Sequence, residues 1–332
     1  MGQSDIIAKQ YIQDNAVFAD LFNYLLYDGS PTLKPEQLQS LDSSVTASLD
    51  KHNSNISLQR FRDIYKSYTA MTDGHAAYLL LGVEEQTDIS YVMPVRAMLY
   101  DALAYDRQIM DMERKHRENK EHHGRSRGEY LSGWCKEDRL IPVITAILLL
   151  SPDKWDGPTQ LHEMLTLEDP KLLSMVENYK IHLIAPSDIT EENMKKFKTN
   201  LREVLSFIKY SRDKKQIQAL VKGNPRFSAI DKNAAMVIRA CTHYKFDIDS
   251  PEKEGDVNMG DALQDIYDEG LEVGRAAGLE AGRKDGFIKG QIASIINLME
   301  TMNLTADKAM ELLKIPNTQQ KEYISLIQGK VH

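Results

Sequence analysis

Two β-prone runs meet at Asp73-Gly74 within residues 62–86, RDIYKSYTAMTDGHAAYLLLGVEEQ, and this junction constrains the chain more than any other feature. Asp-Gly between such runs predicts a two-residue type I′ hairpin, because that turn needs positive φ at both central positions. With Asp73 and Gly74 as the loop, the numbers of every cross-strand pair sum to 147. Asp63 then stands opposite Glu84 on one face, with Cβ atoms roughly 4.5–5.5 Å apart. Gln86 points to the same face, since strand side chains alternate with a period of two. Opposed like charges destabilise a sheet, so the pair calls for a cation between them. Hard oxygen donors suit magnesium (or manganese), which makes Asp63 and Glu84 the candidate metal ligands. The competing reading is that both acids simply end strands at solvent.

Four stretches occur in a telling order: DNAVFADLFNYLLYDG from Asp14, then RFRDIYKS, YLLLGVEEQTDISYVMPVRAMLYDALAY and LIPVITAILLLSPDKWDGP. Together they resemble the recombination-promoting nuclease (Rpn) family, also described as PD-(D/E)XK family transposases. The likeness runs in register over residues 14–158 and more weakly to the C-terminus. One departure is Ala19, at a position where such proteins often carry lysine. The resemblance implies an α/β fold, a PD-(D/E)XK restriction-endonuclease-like core with a central mixed sheet flanked by helices. It implies magnesium-dependent cleavage of DNA that promotes recombination; the alternative is a non-cleaving DNA-associated or oligomeric interaction protein that retains the nuclease fold. In this reading Asp63 and Glu84 hold the metal, joined by the backbone carbonyl of Glu85. Gln86 replaces the usual lysine and orients the attacking water through its amide. Arg96 is the candidate for the missing positive charge, with Tyr100 one turn farther along the same helix face. An ordinary salt bridge from Arg96 to Asp63, Glu84 or Glu85 is equally compatible. Asp14 and Asp20 could add an outer carboxylate, although aspartates on a helix surface are usually solvated. His162 reads as a packing or surface residue.

A formal charge of −8 is unfavourable for a DNA partner unless basic side chains cluster locally. Two segments do cluster them. Residues 113–127 carry Arg114, Lys115, Arg117, Lys120, Arg125 and Arg127, of which all but Lys120 are taken as the candidate DNA contacts. Residues 195–215 carry eight basic residues against Glu203 and Asp213. Solvated surface is the alternative for both. The longest apolar run, residues 140–150, is too short to span a bilayer and reads as a buried strand. No apolar leader opens the sequence, and the only cysteines, Cys135 and Cys241, have no Cys/His metal spacing. A reducing cytoplasm is expected, with no membrane association and no structural zinc.

Periodicity predicts one helix over residues 4–27, stopped by Asp28-Gly29-Ser30-Pro31. A second is predicted over 91–118, facing the sheet with Met93, Ala97, Tyr100, Leu103 and Ala104. Strands are expected at 142–150 and 181–184, a short helix at 160–165, and one amphipathic helix over 191–212. The inner face of that last helix is Met194, Phe197, Leu201, Leu205 and Ile208. The nuclease-like domain thus covers residues 1–246, and an acidic linker covers 247–260.

A glycine-periodic helix follows at 261–293, with Gly270, Gly274, Gly278, Gly282, Gly286 and Gly290 at intervals of four. Glycine costs about 1 kcal/mol per helical position relative to alanine, so such a helix should gain from close backbone approach. The interval advances about 40° per repeat, and the six glycines wind about 200° around the helix. Self-association through this segment is expected, with a partly helical spacer as the alternative. Residues 294–332 form a small helical tail, with a cap at Thr305 and a break at Ile315-Pro316.

Overall fold

The computed structural model describes residues 3–41, 44–48, 57–61, 64–72, 75–119, 126–166, 169–248 and 255–328. The chain divides into two compact units, Met1–Leu263 and Gln264–His332. The first is a mixed α/β unit.

It opens with helices α1 (Gln3–Ile12) and α2 (Asn15–Tyr27), where the sequence predicts a single helix. Asp14 causes the break, because its carboxylate accepts from the backbone N–H groups of Ala16 (2.8 Å) and Val17 (3.2 Å) and restarts the helix. α2 ends as expected, with Asp28 at φ 52° and Gly29 at φ 82°. Glycine is required at 29 for a second reason: a Cβ there would stand 2.6 Å from that of Lys196 and 2.9 Å from its carbonyl oxygen.

Five strands follow: β1 (Leu38–Ser40), β2 (Ser44–Ser48), β3 (Ser57–Phe61), β4 (Ile64–Thr72) and β5 (His75–Gln86). β2 and β3 pair with each other in a separate ribbon. After helices α3 (Met93–Glu118) and α4 (Arg127–Ser132), strand β6 (Val143–Leu149) runs parallel to β5. Helix α5 (Pro170–Leu173) precedes β7 (His182–Ile184), which is parallel to β6. The main sheet is therefore mixed, in the order β1-β4-β5-β6-β7.

Helices cover both faces of this sheet. Met93 and Ala97 of α3 pack on Ile147 and Leu149, and Ala104 packs on Tyr65 and Val143. All five α3 residues predicted to face the sheet are buried. On the opposite face, the Lys66 ammonium lies 4.9 Å above the Phe18 ring of α2. Burial on both sides explains why β6 is apolar at every position but Thr145 rather than alternating.

The rest of the first unit is helical: α6 (Glu191–Met194), α7 (Leu201–Tyr210), α8 (Lys214–Gly223) and α9 (Lys232–Cys241). The single helix predicted over 191–212 is interrupted at 195–200, yet its five inner-face residues are all buried. The segment expected as an acidic linker is anchored at its described ends. Ile248, Val257 and Met259 are buried, and Val257 exchanges two backbone hydrogen bonds with Ile230 at 2.6 and 3.0 Å.

Helix α10 (Met259–Met302) is continuous for 44 residues and carries the whole glycine series. It is followed by α11 (Ala306–Leu312) and α12 (Asn317–Gln328), which start where the Thr305 and Ile315-Pro316 signals predict. Ile292 and Ile295 form a small core with Ala309, Met310, Ile315, Tyr323 and Ile327.

Candidate functional site

The β4–β5 hairpin has the predicted register. Nine described pairs, from Thr72 opposite His75 to Ile64 opposite Val83, all sum to 147. The Asp73-Gly74 turn and Asp63 lie outside the described residues. On the other edge of β5, Glu84, Glu85 and Gln86 pair with Ile147, Leu148 and Leu149 of β6. Partners in a parallel ladder share a face, and Ile147 and Leu149 lie beneath α3. Half-buried Gln86 therefore belongs to the α3 side of the sheet.

α3 brings Arg96 and Tyr100 to that side. Arg96 is half-buried, and its Nε donates to the Tyr100 hydroxyl at 3.1 Å. The expected one-turn relation between the two is thus a direct contact, and the buried phenol orients the guanidinium. One residue on, Asp101 accepts from the Thr145 hydroxyl at 2.5 Å and from the Tyr179 hydroxyl at 2.6 Å. Thr145 is buried, and its β6 position pairs with Gly82 of β5. This carboxylate escapes a sequence reading because it sits beside the apolar stripe of α3. The available signal is its spacing of four from Ala97 and three from Ala104.

Asp20 corrects the sequence expectation. It is 5% exposed, not solvated, and accepts from Lys198 N–H at 2.9 Å, Thr199 N–H at 2.8 Å and the Thr199 hydroxyl at 2.7 Å. These bonds bind the 195–200 interruption to α2. Asp14 serves as the α2 cap. Near it, Lys66 is 1% exposed and donates to the Gln13 carbonyl at 2.6 Å and to Asn15 Oδ1. Burial pushes the Lys66 ammonium below its ordinary value, partly opposed by the Asp14 carboxylate.

The basic segments are also partly placed. Arg114 is exposed and pairs with Asp111 at 2.9 Å, while Arg117 pairs with Glu113 at 3.6 Å. Lys115 lines a cavity of about 430 Å³ together with Arg114, Trp134 and Arg139. Arg127 opens α4 and is exposed, whereas residues 120–125, Arg125 among them, lie outside the described residues. In the second segment, Lys196 pairs with Asp28, Arg212 pairs with Asp153 at 2.5 Å, and Lys209 donates to the Ile189 carbonyl at 2.5 Å. Those three cations are committed within the chain. His162 bonds the Val176 carbonyl at 2.7 Å through Nε2, as befits a packing residue.

The sequence contains no Cys/His metal spacing, yet folding brings His116, Cys135 and Asp138 together. One donor atom from each lies within 4.8 Å of the other two. His116 Nε2 is 2.9 Å from Asp138 Oδ2, and that oxygen also accepts from Cys135 N–H at 2.7 Å. Among the described residues, no helix is long and apolar enough to cross a membrane. Compared with protein-family models, with curated proteins and with solved structures, the chain matches none.

Proposed function

We propose that this chain is a magnesium-dependent DNA endonuclease whose site is built on the β4–β5 hairpin beneath α3. The hairpin register carries the reading. Its nine described pairs follow the rule that sets Asp63 opposite Glu84, and the last of them, Ile64 with Val83, is the neighbouring pair. The mixed sheet with helices on both faces suits the PD-(D/E)XK resemblance, as does the position of Gln86 on the α3 side.

Two carboxylates and the Glu85 carbonyl make a hard-oxygen donor set, which suits magnesium and not a thiophilic ion. When bound, magnesium stabilises the extra negative charge of phosphodiester hydrolysis. Asp63 and Glu84 hold the ion, and Gln86 orients the attacking water. Arg96, steadied by Tyr100, offers positive charge to the scissile phosphate. Arg114, Lys115, Arg117, Arg125 and Arg127 contact the phosphate backbone nonspecifically. Plasmid cleavage tests the reading. Magnesium should support cutting, EDTA should stop it, and Asp63→Ala should abolish it. Wild-type cutting by clean Asp63→Ala protein overturns the assignment.

Self-association through α10 is the second part of the proposal. A Cβ added at any of the six periodic glycines meets nothing within 4 Å among the described residues. Leu271, Val273, Leu279 and Phe287 on the same helix are exposed. Close backbone approach, the advantage of glycine here, is thus unused among the described residues and would be available to a second copy.

A further inference from the structure

We propose that His116, Cys135 and Asp138 form a transition-metal site for zinc, or cobalt as its spectroscopic substitute, separate from the magnesium site of the hairpin. The donor set identifies the ion class. An imidazole nitrogen and a thiolate favour zinc strongly over magnesium, and a carboxylate oxygen completes an ordinary zinc shell.

The three donors are close enough to converge on one ion. Tetrahedral zinc with bonds of about 2.0–2.3 Å needs donor atoms roughly 3.3–3.6 Å apart. The three donors already lie within 4.8 Å of one another, and His116 Nε2 stands 2.9 Å from Asp138 Oδ2. Entry of the ion requires the His–Asp edge to widen by about half an ångström and the sulfur to close to a similar separation from both.

The framework around the cluster holds its members in place. His116 projects from the last turn of α3, while Cys135 and Asp138 belong to one turn closed by Asp138 N–H to the Cys135 carbonyl at 3.0 Å. The His116 and Asp138 side chains are 12% and 11% exposed, which shields the ligands while leaving a route for entry. A nucleophilic Cys–His–Asp relay would place the imidazole between thiol and carboxylate. Here all three donors are mutual neighbours, the arrangement of ligands around one ion. As the ion binds, the thiol proton leaves to solvent, and the proton between His116 Nε2 and Asp138 leaves or passes to Nδ1 so that Nε2 can ligate. Three protein ligands leave a fourth position for water. The bound ion would fasten the end of α3, which carries Lys115 and Arg117, to the turn at 135–138.

Cobalt distinguishes this site from the other histidines, because thiolate ligation produces a near-ultraviolet charge-transfer band. The chain has only two cysteines, so single variants identify the ligand. Full-length protein titrated with cobalt in excess magnesium should develop the band at one equivalent, and zinc should bleach it. Cys241→Ser should keep the band and Cys135→Ser should lose it. His116→Ala and Asp138→Asn should each weaken zinc binding by about 100-fold or more, beyond the effect typical of outer-shell changes. Thermal melting in EDTA monitors the fold of each variant. Absence of the band in the wild type, or its survival in Cys135→Ser, overturns the site. The wild-type titration decides the matter even if a variant fails to fold.

Discussion

Replacing Asp20 with alanine should loosen the first unit by an amount its hydrogen bonds set. The carboxylate is 5% exposed and accepts from two backbone N–H groups and one hydroxyl, all between 2.7 and 2.9 Å. The Thr199 hydroxyl can rotate to another acceptor, so the lasting loss is two N–H donors deprived of a charged partner. Each such donor costs about 1–3 kcal/mol when left unsatisfied. Lys198 is exposed enough for water to reach, which places the total in the lower half of the range of about 2–6 kcal/mol for two donors, at about 3 kcal/mol. Packing also joins the segment to α2, where Tyr24 and Phe197 stack with ring centroids 4.3 Å apart. In a unit of this size, 3 kcal/mol lowers the melting temperature by about 6–12 °C. Urea unfolding followed by far-UV circular dichroism should show a midpoint lower by about 1 M with an unchanged slope. Thr199→Val in the same background should cost less than it does alone, since the two changes share bonds. A loss below 1 kcal/mol for Asp20→Ala, or full additivity with Thr199→Val, would refute the clamp.

Glu84→Ala should remove plasmid cleavage without shifting the melting temperature, whereas Gln86→Ala should only slow it and Gln86→Lys should keep or raise it. An inactive Gln86→Lys protein with normal magnesium affinity would show that glutamine has a specific task. DNA binding should weaken steeply with salt, and neutralising Arg114, Lys115, Arg117, Arg125 and Arg127 together should flatten a log–log plot of affinity against salt. An unchanged slope would move the DNA surface elsewhere. Lys66 has a folded-state pKa below its unfolded 10.5, so the unfolded chain binds more protons between the two values and stability rises with pH across that window. Lys66→Met should abolish that rise in urea titrations at alkaline pH; persistence of the rise would assign it to other groups. Gly274→Leu, Gly278→Leu and Gly282→Leu together should raise helicity yet abolish self-association by light scattering. A monomeric wild type, or an unchanged oligomer in the triple variant, would remove the case for α10 as an interface.

Local rules carry much of this fold. The hairpin register follows from the turn chemistry of Asp73-Gly74 and the period of two, and both act over neighbouring residues. The sheet-facing side of α3 follows from its helical repeat, and the buried character of β6 from a run that is apolar at every position but Thr145. The segment over 191–212 shows where such rules stop. Its apolar stripe predicts every inner residue, but a continuous helix needs the N–H groups of Lys198 and Thr199 for carbonyls four residues earlier. Asp20, nearly 180 residues away in sequence, takes both, and the helix breaks. The 247–260 segment reads as a linker from composition, yet Val257 finds a backbone partner in Ile230. His116, Cys135 and Asp138 show no sequence spacing that suggests a common site, because a helix end and a distant turn supply their donors. Sequence alone determined the local geometry of the hairpin and the polarity of the elements. Only the tertiary structure decided which distant polar groups meet, since that depends on packing between elements and not on the period within any one of them.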